Sequence, residues 1–272
     1  MARTETRLVV LGTQGWIPTA RRQTTCVAYR CGPRLLLFDA GTGLSRLLQL
    51  PGATLLERAE EVHLFLSHYH LDHVCGLAYL GALLGGRGIT LHVPDEALSG
   101  VDPLAAAPRL LSPPFHPTRW GERADYALAA VHAGDNRVGP HSVQARAQRH
   151  AGTTVAYRVD DSFVFATDTV ADEATAEFAR GAELLLHEAW IDGREEQDTE
   201  KAALVRAAYA VHSSARQAAA LAAAAGVAAL YLIHLNPLFD ETYYDSMESS
   251  ARLVFPPASV PPDLQEHRFR RD

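Results

Sequence analysis

Residues 64–77 read LFLSHYHLDHVCGL, an apolar run broken by three histidines and an aspartate within six positions. Burying several imidazoles and a carboxylate without partners costs a few kcal/mol per group, so this cluster must lie in solvent or hold something. The residues before it have β character, and those after it have the composition of a helix. His68, His70, Asp72 and His73 therefore straddle a strand-to-helix turn, where side chains converge from a segment held at both ends. If the first part stays extended, His68 and His70 point the same way, because side chains alternate with period two. Imidazoles with a carboxylate suit zinc, with iron or manganese as alternatives where oxygen donors are numerous.

Six residues do not close a metal site, and further donors stand at the ends of later elements. His150 ends the run before a glycine turn, Asp168 follows the apolar FVFAT, His234 ends ALYLI, and His212 precedes a capped helix. Polar residues at such boundaries are placed to reach into a cleft. The β-type runs are 7–11, 25–30, 35–39, 61–66, 89–93, 127–131, 142–150, 153–159, 162–167, 184–188 and 229–234. Helices are expected over 43–50, 71–84, 171–179 and 215–225, the last opened by Ser213-Ser214 and closed by Gly226, with a charged helical stretch before it. Strands interspersed with helices in this order predict an α+β chain with two sheets packed face to face and helices outside, an αββα sandwich. Residues 100–121 are proline-rich and read as an irregular excursion forming one wall of a cleft, and the tail HRFRRD reads as an exposed end. The sequence has no internal repeat at a fixed period.

Composition excludes several classes. A net charge of −7 without long like-charge runs gives no global attraction for nucleic acid or an anionic membrane. No segment approaches the roughly 18 apolar residues of a membrane span, and the short apolar start is a first strand rather than a signal-peptide core. Cys26, Cys31 and Cys75 are an odd, scattered set, expected as structural thiols in a reducing cytoplasm. His63, His92, His116, His132, His141 and His267 read as structural or surface residues.

The ordered set of His68, His70, Asp72 and His73, then a single histidine, an aspartate after an apolar strand and a final histidine, resembles the metallo-β-lactamase fold family. LLLHEAW at 184–190 resembles the HEAT motif, and HSSARQAAALAAAAGV at 212–227 the HST motif, of its ribonuclease Z and arylsulfatase-like branch. The resemblance runs from LVVLGTQGWIP through DAGTG to LIHLNP, so residues 1–272 are expected as one domain of this fold. It implies a dinuclear centre: one divalent metal on His68, His70 and His150, another on Asp72, His73 and His234, and Asp168 bridging. Zinc is the expected ion, with manganese or iron as alternatives, and a metal-activated water would make the chain a hydrolase. By the same resemblance Glu188 and His212 form a proton-delivery pair and join Asp72 as catalytic residues. His187 is expected to hydrogen-bond within the framework. Asp39 reads equally as a partner that orients a ligand histidine or as a turn-forming aspartate. Arg21 and Arg22 are candidates for binding an anionic substrate, or an exposed pair with no ligand.

The two C-terminal motifs favour a phosphodiester. Members that process transfer RNA carry a long arm between the third ligand and the bridging aspartate, whereas here His150 and Asp168 are 18 positions apart, room for one hairpin. HLNP also replaces the usual His-Phe-Ser-Pro type. A small cyclic or nucleotide-like diester is therefore expected rather than long RNA. Alternatives are hydrolysis of a sulfate ester, lactone or thioester on the same centre, and a non-catalytic metal-binding module. A homodimer is a further expectation, with VCGLAYLGALLGG as part of its interface or as a buried core helix.

Overall fold

The computed structural model describes residues 6–57, 59–122, 126–194 and 202–269. Its contacts resolve into two compact units, the first formed by 1–13, 17–132 and 262–272, the second by 14–16 and 133–261. Each is built on a mixed seven-stranded sheet flanked by helices, which is the αββα class expected.

In the first unit the strands are β1 (Arg7–Gly12), β2 (Cys26–Cys31), β3 (Arg34–Phe38), β4 (Glu61–Phe65), β5 (Gly88–Pro94) and β6 (Tyr126–Val131). The second carries β7 (Gly134–Val138), β8 (His141–His150), β9 (Gly152–Val159), β10 (Phe163–Ala166), β11 (Leu184–Glu188), β12 (Ala229–Ile233) and β13 (Ala258–Ser259). Strand β14 (Gln265–Arg268) returns to the first sheet, whose order is β14-β1-β2-β3-β4-β5-β6. Both sheets have three antiparallel pairings followed by three parallel ones, counted from β14 in one and from β7 in the other. The repetition is one of topology, and no sequence period accompanies it. In parallel sheets the carboxyl ends of the strands are where ligands bind. Here those ends carry Asp39 after β3, Ser67 and His68 after β4, Asp168 after β10, Glu188 closing β11 and His234 after β12.

Alternation decides which residues meet the helices. Leu35 and Leu37, Val62 and Leu64, and Ile89 and Leu91 form one buried cluster with Leu44, Leu47, Leu77 and Leu80. In the second unit Val164, Leu185, Leu230 and Leu232 pack with Ala218, Ala219 and Ala222 of the helix Ala215–Ala225, whose methyl side chains let it lie close to the sheet. That helix starts as its cap signal predicts: Ser214 and Gln217 form a reciprocal capping box, and Gly226 ends it in the left-handed conformation.

Several expectations are corrected. The tail does not simply project: residues 265–268 pair with β1, and only 270–272 fall outside the described residues. The proline-rich excursion contains the helix Pro103–Leu110, capped by Asp102 with proline in its first turn, a position proline tolerates. The helix expected over 71–84 is broken into Leu71–Val74, a 3-10 turn at Cys75–Tyr79 and Leu80–Leu84. Gly76 lies within that 3-10 turn and packs so closely on the chain that a Cβ there would stand 2.5 Å from the Gly41 carbonyl oxygen. Of the charged stretch before the alanine-rich helix, Ala202–Tyr209 is helical and residues 195–201 lie outside the described residues.

On the face of β5 away from the helices, the His92 ring stacks on Phe65 at 4.1 Å, and its Nε2 lies 3.0 Å from His63 Nδ1. Burial, and then His63, push the His92 pKa down to about 3. An unfolded histidine binds its proton near pH 6.5, so between that value and about pH 3 the unfolded chain holds the extra proton and stability falls as pH falls. Lowering pH from 7.5 to 5 should cost about 2 kcal/mol at this residue. Urea denaturation at both pH values should show His92→Gln losing most of that dependence; an unchanged difference would refute the assignment.

Candidate metal centre

In the first unit, two histidines of the turn after β4, His68 and His73, are held by their Nδ1 atoms. Asp39 Oδ1 accepts from the Ser67 backbone N–H at 2.7 Å, and Oδ2 accepts from the Ser67 hydroxyl at 2.8 Å and from His73 Nδ1–H at 2.7 Å. With its proton given to Asp39, the Ser67 hydroxyl accepts from His68 Nδ1–H at 3.0 Å. His68 and His73 are thereby fixed as the tautomers whose Nε2 carries a lone pair, the form a metal needs. The rings of His70 and His73 flank that of His68 at 4.4 and 4.3 Å, and His73 Nε2 lies 3.3 Å from Asp72 Oδ2. The backbone is pinned too: Thr24 Oγ1 donates to the Asp72 carbonyl at 2.9 Å, and Ala40 N–H to that of His73 at 2.8 Å.

Asp39 thus bonds and orients His73, a candidate ligand, rather than merely forming a turn, and it does so at φ +60. Asp39→Asn tolerates that backbone but presents an amide where two donors converge. Zinc affinity, measured by competition with a chelator, should fall about 10- to 100-fold, the usual cost of losing such a partner; unchanged affinity would deny Asp39 this role.

In the second unit, His150 Nδ1–H donates to the Val211 carbonyl at 2.6 Å, which leaves its Nε2 facing Asp168 Oδ1 at 3.3 Å. Burial lowers the His150 pKa and favours the neutral ring. His234 Nε2 lies 3.1 Å from Asp168 Oδ2. Two donors each about 2.0 Å from a tetrahedral ion stand about 3.3 Å apart, so these separations fit a shared cation. The first unit repeats the spacing between His73 and Asp72. Asp168 and His234 both have positive φ, +48 and +52, backbone strain of the kind that collects at functional sites.

Glu188 stands beside this set but is engaged otherwise. Its Oε1 accepts from the backbone N–H of Thr169 and of Ser213, at 3.0 and 2.9 Å, and its Oε2 accepts from His212 Nδ1–H at 2.8 Å. Burial alone would favour the protonated acid, but His212 and His234 outweigh it and hold the carboxyl below its ordinary range. His212 is fixed with Nε2 outward, and the Trp190 ring stacks on it at 4.3 Å and 9°. Asp168, Glu188, His212 and His234 each offer a ligand atom within 4.8 Å of the others. His187 bonds the Glu188 carbonyl, a framework contact as expected.

The sequence reading did not single out Gly15, Ser67 or Trp190. A Cβ on Gly15 would stand 2.6 Å from His234 Cε1, so only glycine lets the loop lie on that ring. The one available signal was the glycine within GTQGWIP. Arg22 is buried and donates to Thr13 Oγ1 at 2.9 Å as part of the first unit's frame, while the Arg21 side chain is exposed.

A model of the beta-lactamase superfamily domain matches residues 34–235. A ribonuclease Z of Synechococcus sp. (strain WH7803) is 30% identical over 95% of this chain and 94% of its own. Among solved structures, the metallo-beta-lactamase fold protein YhfI from Bacillus subtilis superposes with a TM-score of 0.72 at 22% identity, over 97% of this chain and all of that one. A diphosphatase from the PhnP family superposes with a TM-score of 0.69 at 16% identity, over 97% of each chain.

Proposed function

Because this chain belongs to the β-lactamase superfamily and is a metal-binding hydrolase of that fold, we propose that it is a phosphodiesterase acting on a small phosphodiester, cyclic or nucleotide-like. In this reading His68, His70 and His150 hold one cation, Asp72, His73 and His234 hold a second, and Asp168 bridges them. Zinc suits the imidazole-rich donor set best, with manganese or iron as alternatives. Two such ions, when bound, would supply Lewis acidity and a more acidic water.

The observation that carries the choice of bond is the 2.8 Å contact between Glu188 and His212. A buried, ionised glutamate holds one tautomer of a histidine beside the donor set, ready to give a proton from Nε2 once the ring is protonated. An alkoxide leaving a phosphodiester needs that proton, and a positioned imidazole typically contributes about 10²- to 10⁴-fold in rate. Asp72 completes the proton traffic by accepting from the attacking water. Arg21, rather than the buried Arg22, is the residue left to meet the substrate's charge.

Two further points support a small substrate. One antiparallel pair, β9 with β10, fills the interval between His150 and Asp168, and the net charge of −7 disfavours a long polyanion. The names of the ribonuclease Z and diphosphatase relatives favour phosphate chemistry over other esters. Metal-loaded protein should hydrolyse bis(p-nitrophenyl) phosphate and a cyclic nucleotide, and do so faster than sulfate ester, lactone and thioester substrates. Turnover confined to one of the latter would overturn the choice of bond.

A further inference from the structure

We propose that Trp16 is a stacking platform for a planar aromatic ring of the substrate, so that the small diester is one carrying a nucleobase; this rests on the reading above. Gln14 Nε2 donates to the Leu235 carbonyl at 2.7 Å and to the Tyr244 hydroxyl at 2.9 Å, and Gly15 N–H donates to the same carbonyl at 2.9 Å. Leu235 directly follows His234, and Gly15 lies against the His234 ring so closely that no Cβ fits. The loop is therefore anchored to the segment that presents a candidate metal ligand.

Trp16 is the next residue. It has φ +58, a conformation in which a bulky aromatic residue is a genuine outlier, and its side chain is 57% exposed. Backbone strain of this kind collects at functional positions, and here it holds a large flat apolar side chain more than half exposed, one residue from the His234 contact. On the other side of His234, the turn at 235–238 is fixed by Asn236 Oδ1 accepting from the Leu238 N–H at 3.0 Å, and it leaves Leu238 73% exposed. Both segments attached to His234 thus present apolar surface to water. An indole face pairs with a nucleobase by stacking, without regard to which base it is.

Two measurements test this, one of them independent of turnover. The first compares thymidine 5′-(p-nitrophenyl phosphate) with methyl p-nitrophenyl phosphate, which share a leaving group and differ in carrying a nucleoside or a methyl group on the other ester. Trp16→Ala should raise KM for the first at least about fivefold more than for the second, the low end of what one stacked base supplies, and Trp16→Phe should restore most of the difference. The second is calorimetric binding of adenosine 5′-monophosphate and ribose 5-phosphate to the metal-loaded protein. Wild type should prefer the base-bearing ligand, and Trp16→Ala should erase the preference. Equal affinities in the wild type, or a preference that survives Trp16→Ala, would overturn the proposal. Phosphodiester turnover without a Trp16 effect sinks this inference alone; a Trp16-dependent preference without turnover sinks the phosphodiesterase reading and leaves this one standing.

Discussion

Asp168→Asn should release metal and lower phosphodiester turnover by about 1,000-fold or more, with the fold retained. The side chain is buried, takes a hydrogen bond from Thr167 Oγ1 at 3.0 Å, and offers one oxygen to each of His150 and His234 at metal-ligand spacing. In the proposed centre it is the one group shared by both ions. Asparagine has the same shape and accepts the same left-handed backbone, so the substitution keeps the fold while removing the charge and replacing one of the two donor oxygens by a non-coordinating NH2. The loss follows from the several kcal/mol of transition-state stabilisation that bound cations provide, each 1.36 kcal/mol being a factor of ten. Circular dichroism, metal content and kcat on one preparation check all three statements. Turnover within tenfold of wild type, on folded protein, would remove Asp168 from the centre.

His212→Ala should lower kcat by about 10²- to 10⁴-fold on a cyclic nucleotide, whose alkoxide leaving group needs a proton, and far less on bis(p-nitrophenyl) phosphate, whose phenolate leaves without one. Glu188→Gln should follow the same pattern more weakly, since it disturbs the tautomer and leaves the imidazole. The split between the two substrates is the diagnostic. Equal losses on both would make His212 a structural support, and no loss on either would remove it from the chemistry.

Much of this site is legible in the sequence because its residues break a strong pattern. His68, Asp168 and His234 each stand where an apolar strand stops, and a titratable side chain at such a place is conspicuous. Asp39 is harder, since an aspartate two residues before a glycine serves a turn equally well, and only the 2.7 Å contact with His73 separates the readings. Gly15 is harder still: its necessity comes from a ring that approaches from a segment more than 200 residues away, and no local pattern carries that information. Strands β7 and β14 escape for another reason. GDNRV and QEHR are polar edge segments, the composition that discourages unwanted pairing and also erases the alternation that marks a strand. The helix Glu241–Arg252 is hidden likewise, because the residues it buries include Ser250 and Ala251.

Metal content and bis(p-nitrophenyl) phosphate turnover, measured together on purified wild-type protein before and after chelation, decide whether this chain is a metal-dependent phosphodiesterase. About two zinc-class ions per chain are expected, with turnover lost on chelation and regained on adding metal back. Protein that binds no metal after reconstitution, or that hydrolyses the diester equally well with its metal removed, would contradict the account.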